Sequence, residues 1–289
     1  MHPADLDDCV RPSDVSDTAA KEAHLVQWLQ RRGSVLVGFS GGVDSAYLAC
    51  VALKTLGATR TLAVTGRSAS VSDVQWSVAR EVATQWDLPW LEVDTSELAD
   101  PRYAANPTNR CYFCKHELWS KLVPIAGQRG YAAVVDGTNA DDLTEHRPGA
   151  RAAAEYGVLS PLALVGFRKA EIRQRSRALG LPTWNQPSAP CLASRLPYGT
   201  PVTVARLRRV EAAEAALRAI GVAGDLRVRD HGDLARVEMA ASSLSQWLAQ
   251  PGRQRVARAV RGAGYKRVAI DLAGFRSGSL NVLAGINAA

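Results

Sequence analysis

The chain has 289 residues, of which 47% are hydrophobic and 22% charged, and its formal net charge is +7. This length points to about two domains, and the composition excludes a disordered, collagen-like or disulfide-framework protein. No run of about 18 apolar residues occurs, which excludes a transmembrane helix.

In chain order, residues 1–17 hold Asp5, Asp7, Asp8, Asp14 and Asp17 without an apolar stretch. That is the opposite of a secretory signal, so the segment reads as a polar disordered tail of a cytoplasmic protein. Helical spacing predicts a helix over Thr18–Arg32, closed by Gly33. Ser34–Ser40 reads as a buried strand, Asp44–Leu56 as a helix, Thr61–Thr65 as a strand and Val71–Trp86 as a helix. Trp90–Val93 is a third short strand. After a loop rich in Pro and Asn come a helix from Cys111 to Ile125 and a strand over Ala132–Asp136.

Strands alternating with helices predict an α/β fold: a parallel sheet with helices on both faces and ligands at the carboxyl ends of its strands. Residues 18–180 form this unit. Residues 181–201 carry five prolines and no periodicity, the mark of a functional loop or linker. Residues 202–289 read as a smaller α+β domain for substrate or oligomer contacts. Its predicted elements are helix Val204–Ile220, strands at Leu226–Arg229 and Ala235–Met239, helices at Ser243–Leu248 and Arg253–Arg261, and strand Arg267–Leu272.

The charge excess lies entirely in this last third: residues 201–289 hold 13 Arg and one Lys against seven carboxylates. Guanidinium forks there suit a phosphate- or carboxylate-bearing partner, or else form a solvated face. Arg227 and Arg229 stand at i, i+2 on a strand and so share a face, where a substrate phosphate would relieve their repulsion. Five cysteines in a cytosolic chain argue against structural disulfides. Cys9 falls in the tail and Cys50 in an apolar helix, which leaves Cys111, Cys114 and Cys191.

The most informative segment is Ser40-Gly41-Gly42-Val43-Asp44-Ser45, between a buried strand ending at Gly38-Phe39 and a helix. Paired glycines let the backbone turn its N–H groups onto an anion, and the helix N-terminus adds partial positive charge. Ser40 and Ser45 can donate to phosphate oxygens, and Asp44 can hold Mg²⁺ or orient the loop. The Gly-Lys-Ser/Thr ending of a Walker loop is missing.

Here the sequence resembles the PP-loop ATP pyrophosphatases and, within them, the LarE family of sulfur transferases that build the nickel-pincer cofactor of lactate racemase. The resemblance rests on this loop, on Asn109–Lys115, on Asp136–Asp142 with Arg147-Pro148-Gly149, on Pro190–Gly199 and on Asp271–Asn281. It implies an AMP-forming enzyme that adenylates a carboxylate of a pyridinium-3,5-dicarboxylate mononucleotide and replaces its oxygen with sulfur. It implies ATP contacts at Gly38, Ser40, Gly41, Gly42, Asp44 and Ser45, at Thr65 and Ser68 beside adenine, and at Gly137 and Thr138.

Asp142 and Arg147 match a family segment near the phosphates, and Arg227 and Arg229 match family arginines. Cys191 is implied as the sulfur site, with Arg195 supplying positive charge to favour its thiolate. The sulfur comes either from Cys191 itself or from a [4Fe-4S] cluster held by Cys111, Cys114 and Cys191, and the complete trio favours the cluster. A zinc site would need a fourth ligand, for which His116 is nearest.

The implied partners are a small anionic nucleotide, a sulfur donor and further copies in a homo-oligomer, with no membrane and no nucleic acid. Competing readings are a tRNA thiolation enzyme, for which no RNA module or aromatic surface is evident, and an ammonia-using synthetase of the NAD or GMP type.

Overall fold

The computed structural model describes residues 18–144, 147–187, 190–276, 278–283 and 285; the expected N-terminal tail, with Cys9, lies outside these. Its elements in chain order are α1 (Thr18–Arg32), β1 (Val35–Gly38), α2 (Val43–Leu56), β2 (Thr61–Arg67), α3 (Asp73–Gln85), β3 (Trp90–Asp94), α4 (Pro101–Ala104), α5 (Arg110–Gln128), β4 (Ala133–Val135), α6 (Pro148–Glu155), α7 (Pro161–Leu164) and α8 (Lys169–Ala178). The remainder comprises α9 (Val204–Ala219), β5 (Leu226–His231), β6 (Leu234–Met239), α10 (Leu244–Leu248), α11 (Gly252–Gly262), β7 (Arg267–Ile270) and α12 (Ser279–Leu283).

β1 to β4 form one sheet in the order β3-β2-β1-β4, every pair parallel. Successive side chains of a strand point to opposite faces, and both faces are dry here, as in a parallel sheet covered by helices. Val35, Val37 and Ala63 enter a core with Leu25, Ala46 and Ile172 from α1, α2 and α8. Leu36, Leu62 and Val64 enter a second core with Trp119, Leu122 and Ala152 from α5 and α6. Because every pair is parallel, the carboxyl ends of all four strands share one rim, and the order of winding switches between β1 and β4.

The C-terminal sheet has the order β5-β6-β7, with β5 antiparallel to β6 and β7 parallel to it. Ala213 and Leu217 of α9 and Val256 and Val260 of α11 pack on its apolar face beside Val228 and Val237. A small fourth core ties the two parts together. Tyr103, Leu192, Ala193, Leu196, Val202, Leu207 and Val210 form it, with Phe113, Cys114 and Cys191 at its edge.

The predicted helices and strands are present with ends shifted by a few residues. Pro124 lies inside α5, which runs on to Gln128 past the expected end at Ile125. Helices α4, α6 and α7 each begin at a proline, a residue suited to a first helical turn but easily read as a loop signal. The loop 181–201 contains a short 3-10 turn at Leu192–Arg195, with Cys191 as its N-cap residue.

Candidate active site

The phosphate loop leaves β1 at Phe39, whose N–H donates to the Val64 carbonyl at 2.8 Å. Gly41 has φ of 75°, and a Cβ there would lie 2.8 Å from the backbone of Ala79. Only glycine therefore lets the loop pass so close to α3. Gly42 is the N-cap residue of α2 and offers no side-chain cap, which leaves the first amides of a 14-residue helix directed at the loop. Ser40 Oγ and Ser45 Oγ lie 3.1 Å apart, and the Gly42 N–H donates to Ser40 Oγ. These donors and this fold of the loop fit a polyphosphate.

Across the rim, Gly137 follows β4, and a Cβ there would meet Ser45 N at 2.8 Å and Asp44 C at 3.1 Å. Bare backbone therefore packs on bare backbone at the helix start. The Thr138 N–H and hydroxyl both donate to Asp136, at 3.1 and 2.9 Å. Asp142 accepts the Asn139 N–H at 3.0 Å and pairs with Arg147; burial raises its pKa above the usual carboxylate range. Asp44 is held by Lys169 at the start of α8, with Asn139 Nδ2 3.5 Å away. A carboxylate this near the loop fits a role in holding Mg²⁺.

On the β2 side, the Thr65 hydroxyl donates to the Phe39 carbonyl at 2.7 Å and accepts from Trp90 Nε1 at 2.9 Å. Its side chain thus ties strands together, and any nucleotide contact there falls to backbone. Gly38 likewise makes room for Trp119, whose ring would be 2.6 Å from a Cβ at that position. Ser68 donates to the buried Glu97. A cavity of about 400 Å³ is lined by Arg67, Ser68, Val71, Asp73, Trp76 and Ser77.

The Cys191 loop joins this rim directly, since the Leu192 N–H donates to the Ser70 carbonyl at 2.8 Å. Arg195, almost fully buried, forks onto Glu214 at 2.9 and 3.0 Å and also donates to the carbonyls of Pro190 and Cys191. From β5, Arg229 donates to the Ser194 carbonyl at 2.9 Å and to the fully buried Glu238 at 2.7 Å. Arg227 stacks over Phe275 at 5.0 Å. Burial, with Arg195 nearby, lowers its pKa to about 10.

Cys111 and Cys114 stand one turn apart on α5, and Cys191 is near enough to act electrostatically on both. Burial raises the Cys114 thiol, with Glu97 and Cys191 adding to it; Cys111 is raised by desolvation and by Cys191. Arg110, buried on the same helix, feels both Cys191 and Cys111. It donates to Asn106, whose amide in turn bonds the carbonyls of Pro197 and Thr200 at 2.8 and 2.9 Å.

Among the described residues, no three His, Cys, Asp or Glu side chains converge on a single metal ion. His116 is turned to aromatic neighbours, with its Nε2 3.3 Å from Tyr156 OH and its ring 5.1 Å from that ring. The zinc alternative therefore lacks its fourth ligand. A cluster differs in that each thiolate binds its own iron, so three neighbouring but unconverged thiols fit it better than they fit one ion.

Sequence reading missed Lys169, Asn139, Arg110, Asn106, Glu214 and Glu238. Lys169 meets Asp44 across 125 residues and Asn106 meets Pro197 and Thr200 across 91 and 94, so no local spacing marks them. Arg110 with Asn106, four residues apart, and Glu238 with Arg229, nine apart, are local pairs that helix and hairpin spacing could have shown.

A Ser-Gly-Gly-X-Asp-Ser loop at the carboxyl end of a parallel sheet, opening an uncapped helix, defines a PP-loop ATP-using enzyme. Residues 19–107 match the NAD synthase family. The chain is 35% identical over 263 residues to pyridinium-3,5-bisthiocarboxylic acid mononucleotide synthase of Lactiplantibacillus plantarum, covering 91% of this chain and 94% of that protein. It is 41% identical to an uncharacterized protein of Synechocystis, over 91% of this chain and 97% of that one. An NH3-dependent NAD+ synthetase of Mannheimia succiniciproducens is 29% identical over 57% of this chain and 71% of its own length. The chain belongs to the LarE family of PP-loop enzymes. Among the described residues, no helix is long and apolar enough to cross a membrane.

Proposed function

We propose that this protein uses ATP to activate a carboxylate of a pyridinium-3,5-dicarboxylate mononucleotide and then replaces the activated oxygen with sulfur, yielding a thiocarboxylate for nickel-pincer cofactor synthesis. The supporting observation is the bond from Leu192 N–H to the Ser70 carbonyl. It joins the Cys191 loop to the segment that follows β2, so the nucleotide rim and the sulfur cysteine are neighbours.

In the first step a substrate carboxylate oxygen attacks the α-phosphorus, the α–β bridging bond breaks, and pyrophosphate leaves. The loop amides, Ser40 and Ser45 bind the departing phosphates, and Asp44 and Asp142 would hold Mg²⁺, which neutralises phosphate charge when bound. In the second step a sulfur nucleophile attacks the acyl carbon and AMP leaves, carrying the former carboxylate oxygen.

Cys191 is the candidate sulfur site. Cys111, Cys114 and Cys191 are the residues that would hold a [4Fe-4S] cluster, whose fourth iron can carry an exchangeable sulfide when the cluster is bound. Arg195 and Arg229 fix the backbone on either side of Cys191, and Arg227 receives the substrate phosphate. A sulfur donor is then required for repeated turnover, and the active species is a homo-oligomer.

The test is pyrophosphate and AMP release from MgATP with this mononucleotide or with bulk unmodified tRNA, in wild type and Cys191→Ala. Pyrophosphate formed with the small molecule alone, and retained in Cys191→Ala, supports the proposal. Release only with tRNA overturns it.

A further inference from the structure

Lys169 is the first residue of α8, and its backbone N–H donates to Asp141 Oδ2 at 2.8 Å. Its ammonium pairs with Asp44, the acidic residue of the phosphate loop, and its field also reaches Asp142. The side chain is about a third exposed and that of Asp44 less so. A flexible cation thus stands at the mouth of a loop built to receive anions, bound to the carboxylate that would otherwise repel them.

Filling the loop sets competitors against this pairing. A polyphosphate brings several negative oxygens to the α2 N-terminus, and Mg²⁺ competes with the ammonium for Asp44. The lysine stem has four rotatable carbons and a compact charge, so it can change partners with no shift of its backbone. The backbone itself is anchored by Asp141.

We propose that Lys169 is a partner-exchanging catalytic residue: in the empty enzyme it neutralises Asp44, and on binding of MgATP it moves to the phosphate oxygens and releases Asp44 to the metal. This rests on the ATP-dependent function proposed above. In the exchange the Lys169–Asp44 ion pair breaks, an ammonium–phosphate pair forms, and no proton or covalent bond is transferred. The lysine then withdraws charge from the pyrophosphate leaving group.

Two titrations without carboxylate substrate or sulfur test the exchange. In the first, Mn²⁺ alone is added to the apo protein and free ion is read by EPR. In the second, MgATP affinity is measured by calorimetry. Lys169→Met frees Asp44, so it binds Mn²⁺ alone about tenfold tighter than wild type, yet binds MgATP about ten- to hundredfold more weakly because a charged hydrogen bond is lost. Lys169→Arg keeps both affinities near wild type and guards against a folding defect in the methionine variant.

Opposite signs distinguish exchange from damage, which would weaken both. Tighter MgATP binding in Lys169→Met would mean that the lysine merely plugs the site, and an unchanged Mn²⁺ affinity would mean that it does not compete for Asp44. Either result overturns the exchange. The expected titrations with no pyrophosphate from the mononucleotide would leave the exchange standing and overturn the substrate assignment instead. A wild type that binds no MgATP overturns both.

Discussion

Arg195 separates two accounts of how Cys191 is made ready. If the residue acts through its charge alone, Arg195→Lys preserves sulfur transfer. The geometry indicates a holding role instead: Nε and Nη2 fork onto Glu214, while Nη1 grips the carbonyls of Pro190 and Cys191. A lysine cannot reproduce that fork. Removing one partner of a buried pair costs about 3–5 kcal/mol. Glu214 keeps the Val228 N–H at 3.0 Å, so Arg195→Ala falls at the lower end, about 3 kcal/mol. For a chain of this size that corresponds to a fall of about 6–12 °C in Tm.

The functional consequence is selective. Arg195 does not touch the phosphate loop, so the burst of pyrophosphate on mixing with MgATP and mononucleotide stays within a few-fold of wild type in Arg195→Lys. Thiocarboxylate formation drops about a hundredfold, the usual consequence of misplacing a reacting group by about 1 Å. Rapid-quench pyrophosphate measurement alongside product mass spectrometry resolves the two. Unimpaired thiocarboxylate formation in Arg195→Lys, or an unchanged Tm in Arg195→Ala, would refute the holding role.

Three further outcomes follow from the geometry. Gly137→Ala drives a Cβ into the backbone of Asp44 and Ser45; overpacking of this kind costs about 1–3 kcal/mol, and calorimetry should show weakened MgATP binding together with the lower Tm. Cys111→Ser and Cys114→Ser each remove one of three thiols, so anaerobic purification should recover iron and acid-labile sulfide from wild type and markedly less from either variant. Trace iron in wild type would rule out the cluster.

The third concerns acid stability. Arg175 holds the Glu22 carboxyl below its ordinary value of 4.5, so the stability this group contributes is fully present above about pH 4.5. It is lost as pH falls through the lower folded-state value. Glu22→Gln should therefore be less stable than wild type at neutral pH, with the gap closing as pH falls below 4.5 in denaturant titrations. A gap constant with pH would refute the assignment.

The α/β frame was legible because local rules dictate it. Val35, Leu36 and Val37 are apolar on both faces, as a buried parallel strand requires, and Gly33 and Gly57 end helices in left-handed conformations. The phosphate loop was legible for the same reason, since its glycines answer a local backbone demand. Side-chain roles set by distant partners were not: nothing local shows that the Thr65 hydroxyl bridges Phe39 and Trp90, or that Gly38 leaves room for Trp119. The expectation that Arg195 charges the thiol came from a separation of four residues. Glu214, which binds that charge, lies 19 residues further on.

The Arg-rich third shows the same division and explains what the charge excess is for. Asp230, fully buried, receives both Arg206 and Arg209, and Glu238, also fully buried, receives both Arg229 and Arg236. Each carboxylate thus carries two guanidinium groups, and Arg236 also lies 3.8 Å from Asp271. Glu238 and Glu214 both act through an arginine on the loop from Pro190 to Ser194. The sheet therefore uses paired charge to fix the backbone around Cys191 with little side-chain freedom.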